Sequence, residues 1–167
     1  MTKMEKTSET LVHPFPPFLG SAPRVLILGS FPSVKSREAM FYYGNPQNRF
    51  WRVTSAVFGE PTPITAEEKR AFLDKCGVAL WDVIGSCRIT GSSDSSITDA
   101  TVNDIPALLK RCGAERVFTN GKKAFSLYTA HVMPVAGVPA ICLPSTSPAN
   151  AAFSFELLKQ AWSVIAD

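Results

Sequence analysis

Histidine is almost missing from this chain: His13 and His131 are its only two in 167 residues. A Ser-His-Asp hydrolase needs an imidazole beside its nucleophile. Here one histidine falls in a proline-rich N-terminal stretch and the other beyond a helical segment, so that chemistry is not expected. The four cysteines, Cys76, Cys87, Cys112 and Cys142, form no C-x-x-C pair and have no histidine nearby. That spacing argues against zinc and iron–sulfur sites, and the reduced thiols are expected to be buried as small hydrophobes. No apolar run approaches the roughly 20 residues that cross a bilayer, and none follows the lysines of MTKMEKTSET. Neither a membrane span nor a signal peptide is expected, and the reading is a soluble, cytoplasmic monomer. The phosphate signatures G-x-G-x-x-G and G-x-x-x-x-G-K-[ST] are both absent, which excludes the usual dinucleotide enzymes and NTPases. The net charge of +3 allows a polyanionic partner without specifying one.

What is present is enough apolar sequence for one core: 46% hydrophobic residues against 19% charged. Residues 1–22 carry prolines and Phe15 and Phe18 without any period, and read as a mobile start followed by an extended arm packed on a single domain of residues 23–167. Four short apolar runs, Arg24–Leu28, Val78–Ile84, Glu115–Thr119 and Pro139–Leu143, have the pattern of strands covered on both faces. Helical patterns lie between them. Asn48–Phe58 stops at Gly59, and Thr65 with Glu68 makes a capping box for a helix that ends at Gly77. Asn103 is the expected cap of the next helix, with Lys122–Ala130 and Ser154–Ala166 completing the set. The alternation predicts an α/β fold: a three-layer α/β/α sandwich around a mostly parallel four-stranded sheet.

In such a sheet, ligands bind at the loops leaving the carboxyl ends of the strands. Those loops read Gly29–Ser33 (GSFPS), Gly85–Arg88, Asn120–Lys123 and Pro144–Asn150. They are rich in hydroxyls, amides and glycine. GSFPS is not a nucleophile elbow, because Phe31 and Ser33 stand where serine and glycine would be required. Such groups suit a planar heterocycle held by stacking and edge hydrogen bonds, beside phosphates held by serines and N–H groups. The segment Phe41–Trp51 (FYYGNPQNRFW) concentrates aromatics, amides and Arg49; Phe50, Trp51 and Phe58 fall at helical spacing and belong to the core. Asp82 and Asp94 could also reach the same edge; as structural residues they would bond a loop N–H and cap a turn.

The first-strand loop, YYGNPQNRFWRV (42–53), VALWDVI with the downstream GSSDSSI (91–97), and LPSTSPAN (143–150) together resemble the uracil-DNA glycosylase superfamily, and within it the hypoxanthine-DNA glycosylase branch. The resemblance runs from about Arg24 to the C-terminus and implies the sandwich fold read above. It also implies a monofunctional glycosylase of base excision repair that needs no cofactor or metal, acts on DNA, flips out a deaminated base (hypoxanthine first, with uracil a second substrate) and hydrolyses its N-glycosidic bond. In the family's first motif an asparagine aims the attacking water, whereas this chain has Phe31 there. The hypoxanthine branch shares that lack, and the resemblance gives the water-positioning role to Asn48 first and Asn45 second. It also implies that Tyr43 stacks on the base and that the Pro144–Asn150 loop, with Ser145, Thr146 and Ser147, grips the DNA; from their places in the strand-end loops, Ser30, Phe31, Pro32 and Asn120 are expected to contact the base, and Ser33, Arg88 and Lys122 the DNA. The alternative is a damaged-DNA binding module of the same fold with little or no turnover.

Overall fold

The computed structural model describes residues 9–167; the mobile start expected at the beginning of the chain falls on residues 1–8, outside the described residues. Four parallel strands form the central sheet: β2 (Val25–Gly29), β3 (Val78–Asp82), β6 (Arg116–Asn120) and β7 (Ala140–Leu143), in the order β3-β2-β6-β7. A second, three-stranded antiparallel sheet, β1-β4-β5, is built from Thr10–Val12, Ile84–Arg88 and Thr98–Val102.

Successive side chains of a strand point to opposite faces, and the two halves of the core follow that alternation. Val25, Ile27, Val78, Leu80 and Phe118 face α2 (Phe50–Phe58), α3 (Ala66–Cys76) and α7 (Phe155–Trp162). Leu26, Leu28, Ala79 and Val117 face α4 (Ile105–Cys112), α5 (Lys122–Leu127) and the π-helical turn Tyr128–Val132 that leads into α6 (Met133–Ala136). Helices therefore cover both faces of the parallel sheet, as the sequence pattern predicts.

Several local expectations are corrected. The run Val78–Ile84 is not one strand followed by a loop: β3 ends at Asp82, and residues 84–88 form β4 of the second sheet. Gly85 permits this crossing, because a Cβ there would lie 2.7 Å from Asn103 Oδ1. Asn103 consequently does not cap α4. Its amide donates to the Asp82 and Ile84 carbonyls at 2.9 and 3.3 Å, and Asp104 caps the helix by accepting from Ala107 N–H. The segment expected as one helix over Lys122–Ala130 opens into the π turn ahead of Pro134, which has no N–H to continue regular bonding. Of the four thiols only Cys87 is buried; Cys76 and Cys112 are half-buried at helix ends, and Cys142 is exposed on β7, an edge strand. No helix among the described residues is long and apolar enough to cross a membrane.

Candidate active site

The carboxyl ends of β2, β3 and β6 bring Gly29, Asp82 and Asn120 to one edge, and the parallel register sets Gly29 beside Asp82. Asp82 is buried and its partner is not a loop N–H but His13 of the arm, whose Nε2 lies 2.7 Å from Oδ2. Phe15 N–H points to the other ring nitrogen of His13 at 3.4 Å, which leaves Nε2 to donate to the carboxylate. The arm is thereby fastened beneath the site: β1 pairs with β4, Phe15 is buried, and Phe18 exchanges two backbone bonds with Leu80. The other Asp82 oxygen crowds Gly29. A Cβ on Gly29 would collide with Asp82 Oδ1 and stand 3.3 Å from the Tyr43 hydroxyl.

Tyr43 adopts the left-handed backbone conformation, with φ of 51°. Three contacts fix it there: Gly44 N–H donates to Ser36 Oγ at 2.9 Å, Trp51 Nε1–H donates to the Tyr43 carbonyl at 3.1 Å, and the ring stacks on Phe50 with centroids 3.9 Å apart. One ring face is therefore covered. The hydroxyl is buried and makes no well-formed hydrogen bond, and burial, followed by the charge of Asp82, holds its pKa well above the usual tyrosine range, with the nearby Asn120 amide opposing the shift. It is an unspent donor at the floor of the site.

Thr146, fully buried, ties three elements together. It receives Asn120 Nδ2–H on Oγ1 at 2.9 Å, donates its N–H to Asn120 Oδ1 at 3.0 Å, and donates its hydroxyl to Asn48 Oδ1 at 2.8 Å. Asn48 Oδ1 also accepts Phe50 N–H at 2.9 Å as α2 begins. An amide oxygen accepts two hydrogen bonds, so Asn48 has only its Nδ2 group left to offer. Asn45 differs: its Oδ1 takes a single bond, from Gln47 N–H at 2.9 Å.

The remaining expected site residues fall into two groups. Ser30 lies within the edge and donates to Asp94 Oδ1 at 2.7 Å. Asp94 begins a short 3₁₀ turn; the residue is exposed overall but its carboxylate is turned toward Ser30, where partial desolvation raises its pKa, opposed by the Ser30 hydrogen bond and reinforced by the charge of Asp82. Ser30 thus has a carboxylate partner rather than an imidazole. Phe31 and Pro32 are buried, the Phe31 ring packing with Ile84, Cys87, Ile89 and Ile97 beneath the Arg37 guanidinium. Ser33 caps α1 (Val34–Ala39) by accepting Ser36 N–H. Ser145 and Ser147 accept loop N–H groups two residues ahead, and Lys122 is exposed at the start of α5, directly after Asn120 and Gly121. Arg88 stands apart: β4 carries it about 14 Å along the strand from Ile84, to an exposed pair with Asp99 at 3.4 Å.

Arg49, His13 and Asn120 carry more of the structure than their local sequence suggests. Arg49 in particular donates from its backbone to the Thr146 carbonyl at 3.0 Å, and from its guanidinium to the carbonyls of Phe153 at 2.5 Å, Asn150 at 3.0 Å and Ser147 at 3.4 Å. A planar fork of donors is what reaches three carbonyls at once. Arg49→Lys is expected to destabilise the fold by about 1–2 kcal/mol and to speed amide exchange across residues 147–153. Unchanged exchange there would show that the loop holds itself without Arg49.

A cluster of amides, hydroxyls and stacked aromatics at the carboxyl edge of a parallel sheet matches the arrangement that the motifs imply. The family model for the uracil DNA glycosylase superfamily matches residues 16–166. The chain belongs to the uracil-DNA glycosylase superfamily. Two relatives named hypoxanthine DNA glycosylase are similar to this superfamily member: one from Methanosarcina acetivorans is 37% identical over 142 residues, covering 84% of this chain and 89% of the relative. The other, from Methanosarcina barkeri, is 30% identical over 151 residues, covering 89% and 94%. A solution NMR structure of a candidate uracil DNA glycosylase from Methanosarcina acetivorans superposes with a TM-score of 0.78 at 34% identity, covering 91% of this chain and 94% of the other. Membership accounts for the location of the cluster, since all four resembling segments meet at this one edge.

Proposed function

We propose that this DNA glycosylase releases hypoxanthine from DNA by hydrolysis, with uracil as a second substrate, and leaves the strand uncut. The observation that carries this reading is the hydrogen-bonding capacity left in the motif segments: the Tyr43 hydroxyl beside Gly29, the Asn48 Nδ2 group, the Asn45 amide, and the Ser30 oxygen, whose own proton goes to Asp94. It is supported by the names of both relatives. A base within a duplex must first be flipped out at a cost of a few kcal/mol, smallest for mismatched or damaged pairs. The Tyr43 face opposite Phe50 then stacks on it, and Ser30 with neighbouring N–H groups meets its edge. Phe31 contributes by closing the wall behind Ser30. Thr146, Ser145 and Ser147 shape the loop that follows the DNA backbone, with Ser33 and Lys122 at its margin and Arg88 a more distant phosphate contact.

Departure of the base leaves an oxocarbenium-like sugar and negative charge on the leaving heterocycle. Donors fixed in advance stabilise that charge, and the Tyr43 hydroxyl is one that remains protonated. Water attacking such a sugar needs positioning more than deprotonation. To aim a water lone pair at C1′, a residue must accept a hydrogen bond from the water. Asn45 retains that acceptor, while Asn48 Oδ1 is filled by Phe50 and Thr146. Hydrogen bonding therefore favours Asn45 as the water-positioning residue and Asn48 as a donor through Nδ2, reversing the order the motifs suggest.

The test is a panel of duplexes carrying hypoxanthine, uracil, or thymine opposite guanine, incubated with protein and then treated with alkali. Cleavage at hypoxanthine that appears only after alkali supports the reading. Cleavage without alkali indicates a lyase, and cleavage at uracil alone assigns the chain to another substrate class within the superfamily.

A further inference from the structure

Deamination changes the same two features of adenine and cytosine. An exocyclic amino donor becomes a carbonyl acceptor, and a ring nitrogen acceptor becomes an N–H donor. A site that meets the ring position with a fixed acceptor accepts both deaminated products and refuses both parents. Serine does not provide this by itself, because its hydroxyl turns freely and serves as donor or acceptor.

In this protein the Ser30 hydroxyl is not free to turn. Asp94 Oδ1 lies 2.7 Å away and accepts its proton, and an ionised carboxylate has no proton to return. The loop that carries Asp94 is itself latched to the first-motif loop and α1. Val34 N–H donates to Ser92 Oγ at 2.9 Å, and Arg37 Nη2 donates to the Gly91 carbonyl at 3.0 Å. Within the loop, Ser96 accepts Thr90 N–H at 2.9 Å and donates to the Ser93 carbonyl at 2.7 Å, so the serines of GSSDSSI close the turn from which Asp94 projects. Ile84 N–H donates to the Ser30 carbonyl at 3.0 Å, anchoring the serine backbone from the opposite side.

We propose that Asp94 is a positioning residue that fixes the direction of the Ser30 hydroxyl, so that Ser30 reads the ring N–H created by deamination. This rests on the reading of Ser30 as a base-edge group. The same geometry sets a limit. Guanine also carries a ring N–H and a carbonyl, so Ser30 separates hypoxanthine from adenine but not from guanine, and contacts at the 2-position must exclude guanine.

The experiment measures single-turnover release of hypoxanthine, adenine and guanine, each opposite an abasic analogue so that pairing is absent from all three. It is run in mildly alkaline buffer, where the carboxylate is ionised. Asp94→Asn restores a two-way partner and releases the hydroxyl. The adenine-to-hypoxanthine ratio is expected to rise about tenfold, the worth of one directed hydrogen bond, while the guanine-to-hypoxanthine ratio stays put. An unchanged adenine ratio overturns the proposal, as does a parallel rise for guanine, which signifies a merely loosened pocket. Ser30→Ala provides the second arm: hypoxanthine release falls about tenfold with no gain on adenine, and unaltered hypoxanthine release overturns the proposal even if Asp94→Asn does not fold. Failure of the parent protein to release hypoxanthine is a different result, and refutes the reading of the site itself.

Discussion

Asn45→Ala is expected to slow release of hypoxanthine by about 10²–10³-fold, with lesion binding changed by only a few fold. The side chain makes one bond to the fold, accepting Gln47 N–H, so its loss disturbs little besides the acceptor it presents. Asn48→Ala should behave differently. It strips a partner from the buried Thr146 hydroxyl and from Phe50 N–H, and a buried donor left unpaired costs about 1–3 kcal/mol. The Asn48 variant is therefore expected to lose stability as well as activity. Urea denaturation alongside single-turnover rates separates the two: if Asn48→Ala loses more of the chemical step than Asn45→Ala at equal fraction folded, the assignment of water to Asn45 is wrong.

Gly29→Ala is expected to abolish measurable base release and to destabilise the fold by about 3 kcal/mol. Gly29 is not needed for a left-handed turn; it is needed because no space exists for a side chain. The added Cβ would strike Asp82 Oδ1 and press on the Tyr43 hydroxyl. Relief requires Asp82 to move, and Asp82 is bonded to His13 at 2.7 Å with both side chains almost wholly buried. Overpacking a core costs roughly 1–3 kcal/mol, and giving up a buried hydrogen bond to a charged group roughly 1.5–3, so relaxation along either route is expensive. Because the arm is held through His13, the variant should also expose residues 10–18 to proteolysis. A variant of normal stability and activity would show that Asp82 and Tyr43 do not close around Gly29.

The parallel sheet was legible in the sequence because strands covered on both faces must be continuously apolar, as Val25–Leu28 and Val78–Leu80 are. Helix ends were legible where capping chemistry is local: Thr65 accepts Glu68 N–H and Gly77 takes the left-handed terminus. The second sheet left no comparable trace. Thr98–Val102 is largely exposed and pairs with β4 through register shifts, so it shows neither an apolar run nor a clean alternation. At NDIP two residues were competent to cap, and the choice fell to Asp104 because Asn103 was needed across the sheet junction.

The site divides in the same way. Its segments were visible as motifs, but their internal bonding was not. His13 and Asp82 lie 69 positions apart, with nothing local to pair them. Arg49 has the composition of a phosphate reader, yet its guanidinium is spent on three carbonyls of the final loop. Which of the two asparagines keeps a free acceptor depends on Thr146, a residue about a hundred positions away that closes one of them. Motifs locate such a site; hydrogen-bond saturation shows which of its groups are already spent.

Hydrolytic base release at this edge, rather than lesion binding alone, is the reaction proposed. The direct measurement is a single-turnover reaction with protein in excess over a duplex containing one hypoxanthine, following free base by mass spectrometry and the DNA strand by gel. One equivalent of free hypoxanthine per lesion is expected, with an intact strand bearing an abasic site. Saturable binding to the lesion with no free base, from protein shown to be folded, would contradict it and leave a binding module of the same fold.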